Sequence, residues 1–277
     1  MFLLNQKIIM LLNYFSTILI SIIQGLTEFL PISSSAHIII FAKILNIIDE
    51  NNFKIFEIII QLGSTLAIFL FFFKKIKKII TNTIKYGFFY KKKLTISHII
   101  ISTIPTILMG LIFYHKIKII NNIHYIIYGL CFGSFLLYFS EQFCPKKPKI
   151  NNINYLTYKI ALLIGISQCF SLFPGVSRSG SILSISKLIG INRPIAIEFC
   201  FIISIPIVLG ANILELCKHY FLINITNIKI FIIGFIISFI ISLIVIKRFL
   251  CIIKNVSLKW FSLYRLFLVI LLHFFLK

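Results

Sequence analysis

Apolar residues fill this chain in long blocks, with polar residues gathered between the blocks rather than along one face of them. Eight blocks can be drawn, at about residues 8–48, 55–73, 96–114, 123–141, 156–195, 198–216, 229–247 and 258–276. Most are close to the ~20 residues that a helix needs to span hydrocarbon. The first and fifth are about twice that length, and each is interrupted, at Pro31 and at Pro174. The pattern predicts an all-α polytopic membrane protein forming a single integral membrane domain over residues 1–277.

Composition agrees with that pattern. The chain is 59% hydrophobic, with a mean hydropathy of +1.03, whereas soluble domains are roughly half apolar. Six cysteines are scattered with no C-x-x-C pair, which points to buried apolar side chains rather than a metal or redox site. No A-x-A cleavage pattern follows the first apolar block.

The net charge of +21 alters the picture through its placement. Heavy use of Ile, Phe, Asn and Lys suggests an AT-biased genome, so the position of a lysine says more than the total. No soluble basic domain is present to bind nucleic acid. Residues 74–93 hold eight lysines, and further clusters lie at Lys146, Lys147 and Lys149 and at Lys247, Arg248, Lys254 and Lys259. Cytoplasmic loops collect such charges. Placing all three clusters inside requires 156–195 to enter the membrane and return to the same side. If 8–48 does likewise from the other side, the chain is an inverted repeat with halves at about 1–145 and 150–277. Each half then has one re-entrant helical hairpin plus about three transmembrane helices, a plan common among transporters. A full span at 8–24 with a cytoplasmic N-terminus is the competing reading, and Lys7 alone does not decide it.

The interruptions carry the polar chemistry. The first reads QGLTEFLPISSSAH, from Gln24 to His37, and the second QCFSLFPGVSRSG, from Gln168 to Gly180. Irregular backbone at membrane depth is tolerated only where protein buries it or water reaches it, so a polar cavity is expected. Gln24 and Glu28 share a helix face that Pro31 terminates. Ser33, Ser34 and Ser35 are suited to cap a helix over 35–45, with Ser34 and His37 on one side of its first turn. In the second stretch Gly175 and Gly180 permit close backbone approach, and Ser177, Ser179 and Ser181 can cap a helix over 182–189. Helix N-termini bind phosphate, and the planar fork of Arg178 matches phosphate oxygens. A carboxylate at Glu28 would repel an anion unless it is protonated or shares a divalent cation, Mg²⁺ or Ca²⁺, with Gln24 and the ligand. Serine and histidine nearby complete a set suited to phosphoryl transfer.

At these residues the chain resembles the undecaprenyl-diphosphate phosphatases, the bacitracin-resistance family. Gln24 to His37 follows that family's first motif, with Gln24 at a site where Glu also occurs and Ala36 where Gly is usual. Pro174 to Gly180 follows the second motif, P-G-x-S-R-S-G, without departure. Similarity continues through IIQLGSTLA (59–67), IEFCFIISIPIVLGA (197–211) and LYRLF (263–267). The resemblance implies hydrolysis of undecaprenyl diphosphate to the monophosphate and phosphate, which recycles a lipid carrier of cell-wall synthesis and confers bacitracin resistance. It implies a divalent cation, and a multi-pass protein of the bacterial inner membrane whose site opens toward the periplasm. By position Glu28 and Gln24 would hold the metal or orient water, and Ser34 would be the nucleophile, or would bind phosphate if water attacks. His37 would act as general acid or base, and Arg178 would clamp the phosphoryl group. Ser33, Ser35, Ser177, Ser179, Gly175 and Gly180 would line the phosphate site. Partners are the lipid substrate and membrane lipids, with a homodimer left open. A transporter of polyprenyl phosphate or another anion is the alternative, since fold alone does not set function. Arg265, inside the last block, is expected either to pair with Glu57, Glu198 or Glu215 or to support the site. The histidines outside the motifs, His98 among them, are expected at membrane interfaces.

Overall fold

Backbone groups that face hydrocarbon have no water to bond, so each apolar block folds as helix and pairs its N–H and C=O groups internally. The computed structural model describes residues 2–45, 47, 50–114, 116, 123–219 and 228–275. Its helices are α1 (Phe2–Thr27), α2 (Ser34–Ile44), α3 (Glu50–Phe71), α4 (Phe73–Tyr86), α5 (Ile96–Ile112) and α6 (Ile123–Phe143). They continue as α7 (Tyr158–Gln168), α8 (Arg178–Ile189), α9 (Arg193–His219), α10 (Ile228–Ile252) and α11 (Leu258–Phe275). Four stretches, Phe53–Phe71, Ile123–Phe143, Arg193–Lys218 and Ile228–Ile252, are long and apolar enough to cross a membrane. The protein is therefore an all-helical, multi-pass membrane protein.

Each interrupted block resolves into two helices around an irregular turn, α1 with α2 and α7 with α8. The expected starts are slightly late. Helix α2 begins at Ser34 and α8 at Arg178, so Ser34 and Arg178 lie in first turns rather than in the linkers. The lysine-rich stretch also differs from a simple loop. Lys74, Lys75, Lys77, Lys78 and Lys85 sit on α4, which buries Ile79 and Asn82 and leaves those lysines exposed or half-exposed. His98 is fully buried within the protein in the first turn of α5, where its Nδ1 lies 2.9 Å from Thr95 Oγ1.

Helices α3 and α9 run antiparallel, with an ion pair marking each end. Lys54 meets Glu215 at 2.8 Å at one end, and Lys75, in the first turn of α4 just beyond α3, meets Glu198 at the other. Between α3 and α10 the contact is close because small residues line it. A Cβ on Gly63 would come within 2.6 Å of the Phe235 carbonyl oxygen. Ser64 and Ser238 hydroxyls pair at 2.8 Å, and Ser242 joins Ser64 at 3.0 Å. Lipid tails are as apolar as leucine, so this kind of packing and hydroxyl bonding holds membrane helices together. Glu141 knots the lysine-rich end. It accepts from Lys187 on α8, from Arg193 at the start of α9, and from the Leu258 N–H that opens α11. The cavity of about 630 Å³ beside it is accordingly lined by cations already committed to Glu141 together with exposed Lys146 and Lys254.

Candidate active site

The two interruptions meet face to face. Helix α1 gives out at Thr27, four residues before Pro31, because proline has no N–H to bond the Thr27 carbonyl and its ring would clash with it in a continued helix. Phe29 is fully buried against Phe201 of α9, ring centroids 5.4 Å apart, and pins the turn to the core. The chain then enters α2 through Ser33 at φ +72°. The second turn repeats this device: Ser177 enters α8 at φ +70°. In both, the hydroxyl of that serine lies 3.2 Å from the hydroxyl two residues on, Ser35 in one and Ser179 in the other. A non-glycine residue at positive φ costs of order 1–3 kcal/mol and persists only where its surroundings over-determine it. The cap chemistry differs between the two. Ser177 Oγ accepts the Gly180 N–H at 3.2 Å, as expected of an N-cap, whereas Ser33 makes no side-chain cap and offers its carbonyl to His37 instead.

Glu28 is the hub between the turns. Its Oε1 accepts from Arg178 Nη2 at 2.7 Å, across 150 residues of sequence. Its Oε2 accepts from Ser34 Oγ at 2.7 Å and from Gln24 Nε2 at 3.1 Å. A second tie, Ser179 Oγ to the Leu30 carbonyl at 3.1 Å, fastens the same two turns. The Glu28 and Arg178 side chains are only 5% and 18% exposed, so the pair is shielded from solvent and its attraction is weakly screened.

A pocket of about 230 Å³ opens over this hub. Glu28, Ser33, Ser34, Ser35, Gly175, Ser177, Arg178 and Ser179 line it, so most of the motif residues converge on one space. Ile207, Val208 and Ala211 of α9 form an apolar wall. Three expected residues stand back from the pocket wall. Gln24 is buried behind Glu28, with its amide N–H rather than its carbonyl turned toward the carboxylate. Gly180 underlies Arg178, close to Arg265. His37 lies behind Ser33 with both ring nitrogens engaged, at 2.7 Å from the Ser33 carbonyl and 2.7 Å from the Tyr264 hydroxyl. The Ser34 hydroxyl is bonded to Glu28 and not to His37.

Of the two expectations for Arg265, the contacts favour support of the site. Arg265 is fully buried and pairs with no acid among the described residues: Glu198 is taken by Lys75 and Glu215 by Lys54. Its Nη1 donates to Val176 O at 3.0 Å, and its Nη2 to Gly175 O at 2.5 Å and Gly129 O at 3.2 Å. The reason is local. Gly175, at φ +91°, turns carbonyls of the second loop inward where no helix N–H can meet them, and a guanidinium supplies several donors in one plane. Arg265 thereby holds the backbone immediately before Arg178.

Residues 17–271 match the family described as Bacitracin resistance protein BacA. The chain belongs to that family. Among the relatives it is similar to are two proteins named undecaprenyl-diphosphatase. The one from Buchnera aphidicola subsp. Schizaphis graminum is 45% identical over 257 residues, 93% of this chain and 96% of the relative. The one from Baumannia cicadellinicola subsp. Homalodisca coagulata is 41% identical over 266 residues, 92% of this chain and 95% of the relative.

In this BacA-family chain the pocket also contains Gln61 of α3, Thr106 of α5 and Ser171, none of which the two motifs include. Gln61 had a signal, an amide inside an apolar block. Thr106 had none, because buried threonines are common on membrane helices and its hydroxyl is spent on the Gly165 carbonyl at 3.2 Å. The α6 backbone presses against the second turn at Gly129 and Gly133, where an added Cβ would land on the Pro174 carbonyl and on the Arg265 guanidinium respectively. Gly133→Ala is therefore expected to displace Arg265, lowering stability by about 1–3 kcal/mol and reducing activity. Gly210→Ala, whose Cβ meets nothing within 4 Å, should do neither. Thermal melting of the two variants in detergent checks this.

Proposed function

We propose that this protein hydrolyses undecaprenyl diphosphate to undecaprenyl phosphate and inorganic phosphate, with Ser34 as nucleophile. The observation that carries the reading is the 2.7 Å bond from Ser34 Oγ to Glu28 Oε2, inside a pocket that also holds Arg178. A hydroxyl is a poor nucleophile until a base takes its proton. Glu28 is placed to do so as Ser34 Oγ attacks the terminal phosphorus. The new Ser34 O–P bond forms as the bond to the bridging oxygen breaks, and undecaprenyl phosphate leaves. Water then attacks the phosphoserine, releasing phosphate and restoring the hydroxyl. Arg178, relinquished by Glu28 to the phosphate oxygens, would neutralise charge on the transferring group, with donors from Ser177, Ser179 and the first turns of α2 and α8 beside it. A carrier that only moved an anion has no need of a serine hydroxyl held on a carboxylate.

The donor set fits a hard divalent cation. Mg²⁺ and Ca²⁺ prefer oxygen ligands, and Mg²⁺ is commonly held by one or two carboxylates plus substrate phosphates. Glu28 would supply the carboxylate, with Gln61 on the pocket wall and Gln24, after turning its amide, supplying carbonyls. Such an ion offsets the charge of the diphosphate. The ion pairs near the two ends of α3 and α9 support an orientation. The pocket residues Gln61 and Ala211 lie nearer the Lys54–Glu215 end than the lysine-rich end. With lysines cytoplasmic, the pocket faces the periplasmic side of the bacterial inner membrane, where the lipid diphosphate would enter beside the apolar wall.

The test is release of inorganic phosphate from undecaprenyl diphosphate by purified protein with Mg²⁺ or Ca²⁺. Wild type should release it, chelator should stop it, and Ser34→Ala should lose about a hundredfold or more. A wild type that releases none with either ion present, or Ser34→Ala at full rate, would sink the reading.

A further inference from the structure

His37 is bound in a way that leaves it nothing to exchange. Its Nδ1 lies 2.7 Å from the Ser33 carbonyl oxygen, which can only accept, so Nδ1 carries a proton. Its Nε2 lies 2.7 Å from the Tyr264 hydroxyl of α11. In the neutral ring Nε2 accepts that O–H, and in the cation it donates to the same oxygen, so both nitrogens are occupied in either state. The ring is 5% exposed, lies nearly parallel to Tyr264 with an interplanar angle of 2°, and is absent from the pocket wall. What His37 does hold is Ser33, the residue at φ +72° whose carbonyl receives both the His37 side chain and the His37 backbone N–H at 3.4 Å. The direction in which Ser34 leaves that residue decides whether its hydroxyl meets Glu28.

We propose that His37 is a positioning residue, clamped between the Ser33 carbonyl and the Tyr264 hydroxyl so that it fixes the turn and aims Ser34 at Glu28, and that it exchanges no proton with the substrate. Tyr264 is the second member of the clamp. The next residue, Arg265, grips the opposite turn through Gly175 and Val176, so one stretch of α11 fastens both sides of the pocket. The inference rests on the hydrolase reading for its kinetic consequence, but the clamp itself is a statement about the resting protein.

His37→Gln separates positioning from proton exchange. Its amide N–H can serve the Ser33 carbonyl and its amide oxygen can accept from Tyr264, while it has no proton to trade near neutral pH. The expected kcat is within about tenfold of wild type with an unmoved pH profile, against a loss of about a hundredfold in His37→Ala, the scale of a misaimed reacting group. Tyr264→Phe should lower kcat more than it raises KM and leave the pH profile in place. A His37→Gln variant that melts like wild type yet is as inactive as His37→Ala would overturn the proposal. Independently of turnover, ¹⁵N spectra of histidine-labelled protein in lipid, assigned by difference against His37→Gln, should show Nδ1 protonated. A bare Nδ1 would overturn the clamp whatever the activity. A wild type with protonated Nδ1 that releases no phosphate would leave the clamp standing and sink the hydrolase reading instead.

Discussion

Glu28→Gln is expected to lower kcat for phosphate release by about a thousandfold, near the middle of the range that loss of a general base produces. The substitution keeps the size of the side chain and removes its charge. The Ser34 proton then has no acceptor of adequate basicity, since Glu28 Oε2 is its hydrogen-bond partner at 2.7 Å. The amide must also present a donor to one of its three neighbours, Gln24 Nε2, Ser34 Oγ or Arg178 Nη2, all of which now donate to the carboxylate. Two losses therefore combine, one chemical and one of alignment, and they should appear chiefly in kcat. Initial rates at saturating lipid diphosphate measure the effect. A variant within tenfold of wild type would mean that Ser34 is activated by something other than Glu28.

The second large effect is on stability, and its sign pattern is specific. Arg178→Ala removes the cation from a carboxylate only 5% exposed, leaving a buried charge without its counter-ion. Breaking a buried pair from one side typically costs ~3–5 kcal/mol, mostly the burden of the stranded partner. Adding Glu28→Gln to Arg178→Ala should therefore restore part of the loss, making the double variant more stable than Arg178→Ala alone though neither is active. Unfolding in detergent of the four proteins of this cycle tests the point. Simple additivity of the two single losses would show that the pair is hydrated in the resting protein and not a buried contact.

Much of the site was legible because its chemistry is written locally. A proline followed by serines inside an apolar block can only be a break with unsatisfied backbone, and such breaks need polar surroundings. Glu28, Ser34, Ser177, Ser179 and Arg178 were identified in this way, and all line one pocket. His37 and Ser34 are three residues apart on one helix, yet spacing alone does not show that α2 turns His37 toward Tyr264 and leaves Ser34 facing Glu28. Arg265 is expected to have a partner, an acid or the site itself, because a charge inside a membrane needs one. The partner is a set of carbonyls, and carbonyls carry no signature in the amino-acid code.

Two blocks too long for one span, each broken at a proline, and three lysine-rich clusters between blocks were enough to establish a multi-pass helical protein with two polar turns. That follows from hydrocarbon forbidding unpaired backbone and from the cost of burying lysine, both of which act on each segment alone. Contact between the turns is another matter. Glu28 and Arg178 stand 150 residues apart, and nothing local to either names the other. Their meeting, the approach of Gly129 and Gly133 to the second turn, and the hold of α11 on both sides arise from how helices with small residues at their crossings pack against one another. Packing is a property of shapes brought together, so it exists only once the chain has folded.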